Sequence, residues 1–346
     1  MIRGELAAGL EPVADAFQRC FEELGELGAG VCAYVDGEPI VDLWGGTWRR
    51  DTLVNVFSVS KPLAAACLLL LSERGHVDLN EPVSSYWAEL AAPATVRHVL
   101  AHQAGLVALR DPRPTELLYD WPAATAALAA EPPWWEPGTA HGEHALWYGH
   151  LVGEIVRRVD GRTLGAFLRD EITGPRRLDF HFGLGEMHLD RAADVVDPDG
   201  SWHAAVLDDP RELYRLALDN PPGLVRPDVV NSREWRTTEI PAVNGHGTAR
   251  AVAAFYGRID EILAPETLHE ALSPQASGRD VVLDDDRTWG LGFGLFEHGD
   301  FGLGGIGGSL GYGNRGRRLG FAYLTSRLGS HDRAETVERA LLDTLR

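Results

Sequence analysis

Ser58 and Lys61 have the residue types and the spacing for nucleophilic chemistry. They stand in Phe57-Ser58-Val59-Ser60-Lys61-Pro62, directly ahead of the apolar run Leu63 to Leu71. A serine hydroxyl is a weak nucleophile until a neighbouring base takes its proton. Residues three apart share a helix face, so the Lys61 amine can reach the Ser58 hydroxyl. A first-turn position also meets backbone N–H groups without helical partners, which favour developing negative charge. Pro62 is tolerated there for the same reason. Ser-x-x-Lys alone is weak, because most chance copies lie on surface helices. Here the apolar run behind it predicts a buried helix that holds the pair rigid.

The flanking chain predicts what positions that helix. Residues 10 to 25 have helical spacing, with Val13, Phe17, Phe21 and Leu24 on one side. Two strand-like runs follow within Gly30 to Trp44, joined around Asp36-Gly37, a strong hairpin signal. Residues 76 to 200 read as helices broken by Pro and Gly. Trp289 to Leu295 and Gly316 to Thr325 read as strands, and Ala334 to Arg346 as a closing helix. Strands at both ends and helices between them imply an α+β fold. One antiparallel sheet is built from both chain ends and flanked by helices, with an inserted helical region. The nucleophile then lies in the cleft between the two parts. A single domain over 1–346 is expected, with a sheet subregion about 1–60 and 285–346 and a helical subregion about 76–240.

Composition excludes several function classes. The 346 residues are 45% hydrophobic, enough for a large core, and the 39 Gly and 20 Pro fit many turns. A formal charge of −19 argues against nucleic acid or an anionic membrane as partner. Cys20, Cys32 and Cys67 form neither a disulfide framework nor a zinc pattern. Asp284-Asp285-Asp286 reads as a solvated turn, so no metal and no organic cofactor are expected. Met1 to Leu6 has no long apolar segment, and the longest apolar run is too short to span a bilayer. A cytoplasmic, soluble protein acting on a small molecule is the expectation; the oligomeric state is open.

Several further segments carry a resemblance: Val41-Asp42-Leu43-Trp44-Gly45-Gly46, Asn55 to Lys61, Leu100-Ala101-His102-Gln103-Ala104-Gly105-Leu106, Pro137-Gly138-Thr139-Ala140-His141-Gly142, Asn244 to Ala249, and Gly304 to Ser309. In this order, over nearly the whole chain, they resemble the serine β-lactamase and penicillin-binding-protein superfamily. Within it they resemble the class C-like esterases, the β-lactamase-related serine hydrolases. The resemblance implies acyl transfer through a Ser58 acyl-enzyme, with Lys61 as base. It implies an oxyanion hole from the N–H groups of Ser58 and Ile306. It also implies a tyrosine six residues after the start of the Pro-Gly motif, and a Lys, His or Trp on an edge strand.

The chain departs from that pattern twice. Glu143 stands at the tyrosine position and Leu303 at the edge-strand polar position. Glu143 reads in three ways: a carboxylate sharing base duty with Lys61, a relic in a dead cleft, or a misplacement with Tyr148 or a tyrosine elsewhere doing the work. Leu303 disfavours substrates bearing a carboxylate and favours a neutral ester, thioester or amide. Leu303, Gly304, Gly305, His144 and Trp147 are the substrate-binding candidates. Trp134, Trp135 and Trp147 read either as the wall of an acyl pocket or as core. His102, His141 and His246 read as structural hydrogen-bonders. The function implied is hydrolysis or transfer of an ester or amide acyl group. The alternatives are a transacylase, a Glu143-based lyase or cyclase, and an inactive ligand-binding homologue.

Overall fold

In the computed structural model, which describes residues 1–345, the hairpin read from Asp36-Gly37 lies next to one edge strand of a large sheet. Asp36 and Gly37 adopt φ of 54° and 79°, the positive values that a tight two-residue connection needs. The large sheet takes β1 (Arg3–Leu6), β2 (Gly28–Val35) and β3 (Glu38–Gly46) from the start of the chain. A small sheet is formed by β4 (Val54–Asn55), β5 (Phe180–His181) and β6 (His246–Gly247). From the end of the chain come β7 (Ala276–Arg279), β8 (Asp286–Trp289), β9 (Gly294–Leu295), β10 (Asp300–Gly304), β11 (Leu310–Asn314) and β12 (Leu319–Thr325). The large sheet runs β1-β3-β2-β12-β11-β10-β9-β8-β7. The two chain ends therefore meet where β2 pairs antiparallel with β12, Ala33 opposite Phe321.

Period-two alternation along these strands builds two cores. On one face Val31, Ala33, Phe321 and Tyr323 pack against α1 (Glu11–Glu22) and the closing helix, Asp332–Thr344. On the other, Cys32, Tyr34, Ala322 and Leu324 join the core that contains the nucleophile helix. Val13 and Phe17 are buried as expected, but Ala16 and Cys20 complete the buried stripe of α1, while Leu24 is 38% exposed.

The helices that matter to the cleft are α2 (Lys61–Glu73), α3 (Tyr148–Asp160) and α4 (Ala249–Gly257), with the closing helix as α5. Every residue of α2 from Lys61 to Leu71 is buried, the environment required by a helix that is apolar all round. It lies against α3, and α4 lies against β12 and β2.

Three boundaries differ from expectation. The strand expected over Trp289 to Leu295 is split by a turn, closed by Gly290 N–H donating to Phe293 O at 2.8 Å, with Gly292 at φ 86°. The strand expected from Gly316 starts at Leu319, because Arg315 to Arg318 form a turn closed at 3.2 Å. The closing helix begins two residues early, and its expected end at Arg346 lies outside the described residues. No helix among the described residues is long and apolar enough to cross a membrane.

Candidate active site

Ser58 sits in a 3₁₀ turn, Phe57–Ser60, immediately before α2 rather than inside it. In 3₁₀ geometry residues i and i+3 eclipse, which stacks Lys61 over Ser58. Lys61 Nζ donates to Ser58 Oγ at 2.7 Å. Phe57, just ahead, has φ 51°, a conformation that bulky residues rarely adopt and that persists only where the surroundings impose it. Those surroundings are backbone bonds on both sides: Val56 N–H to Gly245 O at 2.8 Å and Val59 N–H to Val56 O at 3.3 Å.

Lys61 is fully buried. An ammonium has three donors, and three acceptors surround this one: Ser58 Oγ at 2.7 Å, Glu143 Oε1 at 3.0 Å and Ala242 O at 3.4 Å. Burial holds its pKa below the ordinary lysine value, while the Glu143 carboxylate opposes the shift. The Ser58 Oγ to Glu143 Oε1 distance is 3.4 Å, long for a hydroxyl bond, so the closer partner of Ser58 is Lys61. A compositional signal bears on this residue. Of the 32 basic side chains, 31 are arginine and Lys61 is the single lysine. Arginine cannot release its proton in a protein, whereas a buried lysine can.

Asp280 positions Glu143. Buried Asp280 accepts from Glu143 N–H at 3.2 Å, Val282 N–H at 3.0 Å and Leu283 N–H at 2.9 Å through Oδ1, and from Trp289 Nε1 at 3.2 Å through Oδ2. Nothing local in the sequence singled out Asp280. Its role depends on a contact across 137 residues.

The floor behind Ser58 is the segment Asn244 to Gly247; its last two residues form β6, and α4 starts at Ala249 with Thr248 as its cap. Gly245 is required there, because a Cβ would lie 2.5 Å from Ser60 Oγ and 2.4 Å from the Phe180 ring. Buried Asn55 ties the nucleophile strand to this floor, donating to Val243 O at 3.0 Å and accepting from Trp235 Nε1 at 2.9 Å. In the segment Gly304 to Ser309, a Cβ on Gly305 would lie 2.5 Å from Val56 O and 3.3 Å from the Phe57 side chain. Partly exposed Ile306 follows, in a turn closed by Gly308 N–H to Gly305 O at 3.1 Å. Ser58 and Ile306 thus occupy two adjoining turns.

Four of the five substrate-binding candidates need correction. Leu303 is only 5% exposed and packs with Ala276 and Trp289. Alternation along β10 turns Gly304 to the other face, where a Cβ would lie 2.7 Å from His331 Nε2. His144 and Trp147 are fully buried. The His144 ring bonds Gly142 O at 3.0 Å, and Trp147 packs on His150 with ring centroids 5.2 Å apart. Only Gly305 lies directly against the nucleophile turn. Tyr148 packs on His102 at 4.6 Å and donates to Leu100 O at 3.3 Å, so its phenol is engaged away from Ser58. Apolar side chains the sequence did not single out flank the site. Val281 and Val282 crowd Gly142 together with Trp135, and Trp202 lies 6.2 Å from the Phe57 ring. Among the described residues no His, Cys, Asp or Glu group could hold a metal ion.

The Beta-lactamase family profile matches residues 15–346. Esterase/beta-lactamase LipL of Mycobacterium tuberculosis (strain ATCC 25618 / H37Rv) is 32% identical over 353 residues, covering 91% of this chain and 81% of that protein. A family VIII carboxylesterase crystal structure superposes with TM-score 0.91 at 31% identity, over 99% of this chain and 100% of that one. A penicillin-binding-protein homologue from Caulobacter crescentus gives TM-score 0.88 at 32% identity, again over 99% and 100%.

Proposed function

This chain belongs to the beta-lactamase family and is a serine hydrolase of the esterase/amidase type; from that premise we propose that it cleaves a neutral carboxylic ester through a Ser58 acyl-enzyme, with Lys61 and Glu143 sharing the proton work. The observation that carries this reading is the placement of Lys61 Nζ between Ser58 Oγ, at 2.7 Å, and Glu143 Oε1, at 3.0 Å. A lysine can serve as base only when neutral. Burial favours the neutral amine, and Glu143 is close enough to hold the displaced proton.

In the first step Ser58 Oγ bonds to the ester carbonyl carbon and its proton passes to neutral Lys61. The oxyanion accepts from the N–H groups of Ser58 and Ile306; one such donor contributes about 3–4 kcal/mol in comparable sites. The bond to the alkoxy oxygen then breaks, and that oxygen takes a proton delivered by the Lys61 and Glu143 pair. Water then attacks the acyl carbon with its proton passing to the same pair; the bond from that carbon to Ser58 Oγ breaks, the pair returns the proton to Oγ, and the acid is released. A positioned acid–base pair accounts for about 10²- to 10⁴-fold of rate. Leu303, packed on Trp289, offers no charge to a substrate carboxylate, and Val281, Trp135 and Trp202 supply apolar walls; both favour a neutral acyl group.

Incubation with a fluorophosphonate and with a p-nitrophenyl ester, followed by intact mass measurement, tests this. The expected adduct forms on the wild type and is absent from Ser58→Ala, together with ester turnover. Turnover that survives Ser58→Ala but disappears in Glu143→Gln would instead mean proton transfer without an acyl-enzyme.

A further inference from the structure

A second cavity, of ≈ 170 Å³, opens beside the first turn of α4, lined among others by Arg50, Arg176, Arg177, Arg250 and Arg258. Five guanidinium groups around one small cavity are notable in a chain of formal charge −19. Local carboxylates do not balance them. Arg50 and Arg250 share a single oxygen, Asp42 Oδ2, with Arg50 also 3.7 Å from the exposed Glu5. The two carboxylates that line the cavity, Asp51 and Asp179, are held by Arg49 and Arg191 from outside it.

The other three arginines have no carboxylate partner among the described residues. Arg258 donates to Gly37 O at 2.9 Å and lies over the Tyr34 ring, 5.3 Å from its centroid. Among the described residues Arg176 donates only to backbone oxygens, those of Glu171, Ile172 and Glu261, and its buried Nε has no partner. Exposed Arg177 has no side-chain hydrogen bond or ion pair among the described residues. An unpaired buried donor and uncompensated cations destabilise a fold unless a ligand satisfies them. Thr248, the cap of α4, also lines the cavity, so the positive end of that nine-residue helix adds to the field.

We propose that this cavity is a binding site for a phosphate-class oxyanion, held by Arg176, Arg177 and Arg258 and separate from Ser58. Planar guanidinium forks match the oxygens of a tetrahedral dianion and keep their charge at every physiological pH. Against a formal charge of −19 for the whole chain, this concentration of guanidinium groups makes the cavity the preferred place for an anion.

Calorimetric titration of the full-length chain with inorganic phosphate, at low chloride, tests the assignment. One site is expected, with a melting temperature that rises with phosphate by mass action. In Arg177→Ala/Arg258→Ala, affinity is expected to fall by at least about tenfold, the scale of losing one charge-assisted bond. Arg279→Ala, on exposed β7, should leave it unchanged. Parallel titration with glycerol phosphate separates the two sources of this chemistry. Equal binding of both supports the phosphoryl group of a larger molecule, and phosphate alone supports the free ion. Should the double variant unfold, Arg177→Ala, which removes no contact, carries the test. Absence of binding and of any thermal shift, or equal affinity in wild type and the arginine variants, overturns the proposal.

Discussion

The buried Lys61 ammonium stands 3.0 Å from the Glu143 carboxylate, its only ion pair among the described residues. One member comes from the start of α2 and the other from a loop ahead of α3, and each is fixed independently. Lys61 is held by helix packing, and Glu143 by the bond from its N–H to Asp280.

Replacing Glu143 by Gln tests the pair. The variant keeps the shape but leaves Lys61 without a countercharge, and removing one partner of a buried pair costs about 3–5 kcal/mol. Ester turnover should fall by about 10²- to 10⁴-fold, the scale of a lost acid–base group. Urea unfolding and steady-state kinetics on the same preparation measure both effects.

Asp280→Ala leaves the N–H groups of Glu143, Val282 and Leu283 and the Trp289 indole without their acceptor. Orphaned buried donors cost about 1–3 kcal/mol each, so a marked loss of stability is expected. The informative readout is kinetic. Glu143 loses its anchor while Ser58 and Lys61 keep theirs, so kcat should drop more than KM rises, and fluorophosphonate labelling should continue.

Because Lys61 is the only lysine, a protein labelled with ¹³C-lysine gives one side-chain resonance that reports its charge. Burial lowers its pKa from 10.5, so the resonance should titrate below that value. The linkage sign follows. Between the folded pKa and 10.5 the unfolded chain binds more protons, so this group's penalty on folding is relieved as pH rises through that window. The ascending limb of kcat/KM should coincide with the titration. A midpoint at or above 10.5 would remove Lys61 as the base.

Acid should weaken the fold through buried histidines. Burial lowers the pKa of His144, His150 and His246 to about 3, and lowers that of His102 as well. Below the ordinary value of 6.5 the unfolded chain binds protons that the folded chain refuses. Their contribution is therefore full above 6.5 and is lost as pH falls toward 3, at about 1.4 kcal/mol per pH unit for each. Buried Asp280 and partly buried Glu239, with pKa values raised by desolvation, act in the opposite sense. Unfolding free energies measured in steps from pH 7.5 to 4.5 should decline, and His150→Phe should reduce the slope.

Much of this architecture was legible in the residues. Asp36-Gly37 fixed the first hairpin, because few other pairs tolerate two positive φ values. The run Leu63 to Leu71 fixed the buried helix, and Ser-x-x-Lys placed the Ser58 and Lys61 pair at its start. Glu143 was reached through its position in the second motif. The split of the Trp289 to Leu295 strand was not legible, because a turn closed between Gly290 and Phe293 leaves apolar composition unchanged.

What the sequence determined alone was local: element types, the Ser58 and Lys61 spacing, and a composition in which the one lysine sits beside the one candidate nucleophile. Tertiary structure decided the rest. Strand alternation turned Leu303 into core and Gly304 away from the cleft, and α3 buried Trp147. Folding also brought Asp280 to Glu143 and Ala242 to Lys61 across 137 and 181 residues. Local pattern reports which faces are apolar, but a buried polar group takes whichever partner the packed chain brings within about 3 Å, the reach of a hydrogen bond. That partner depends on the whole fold.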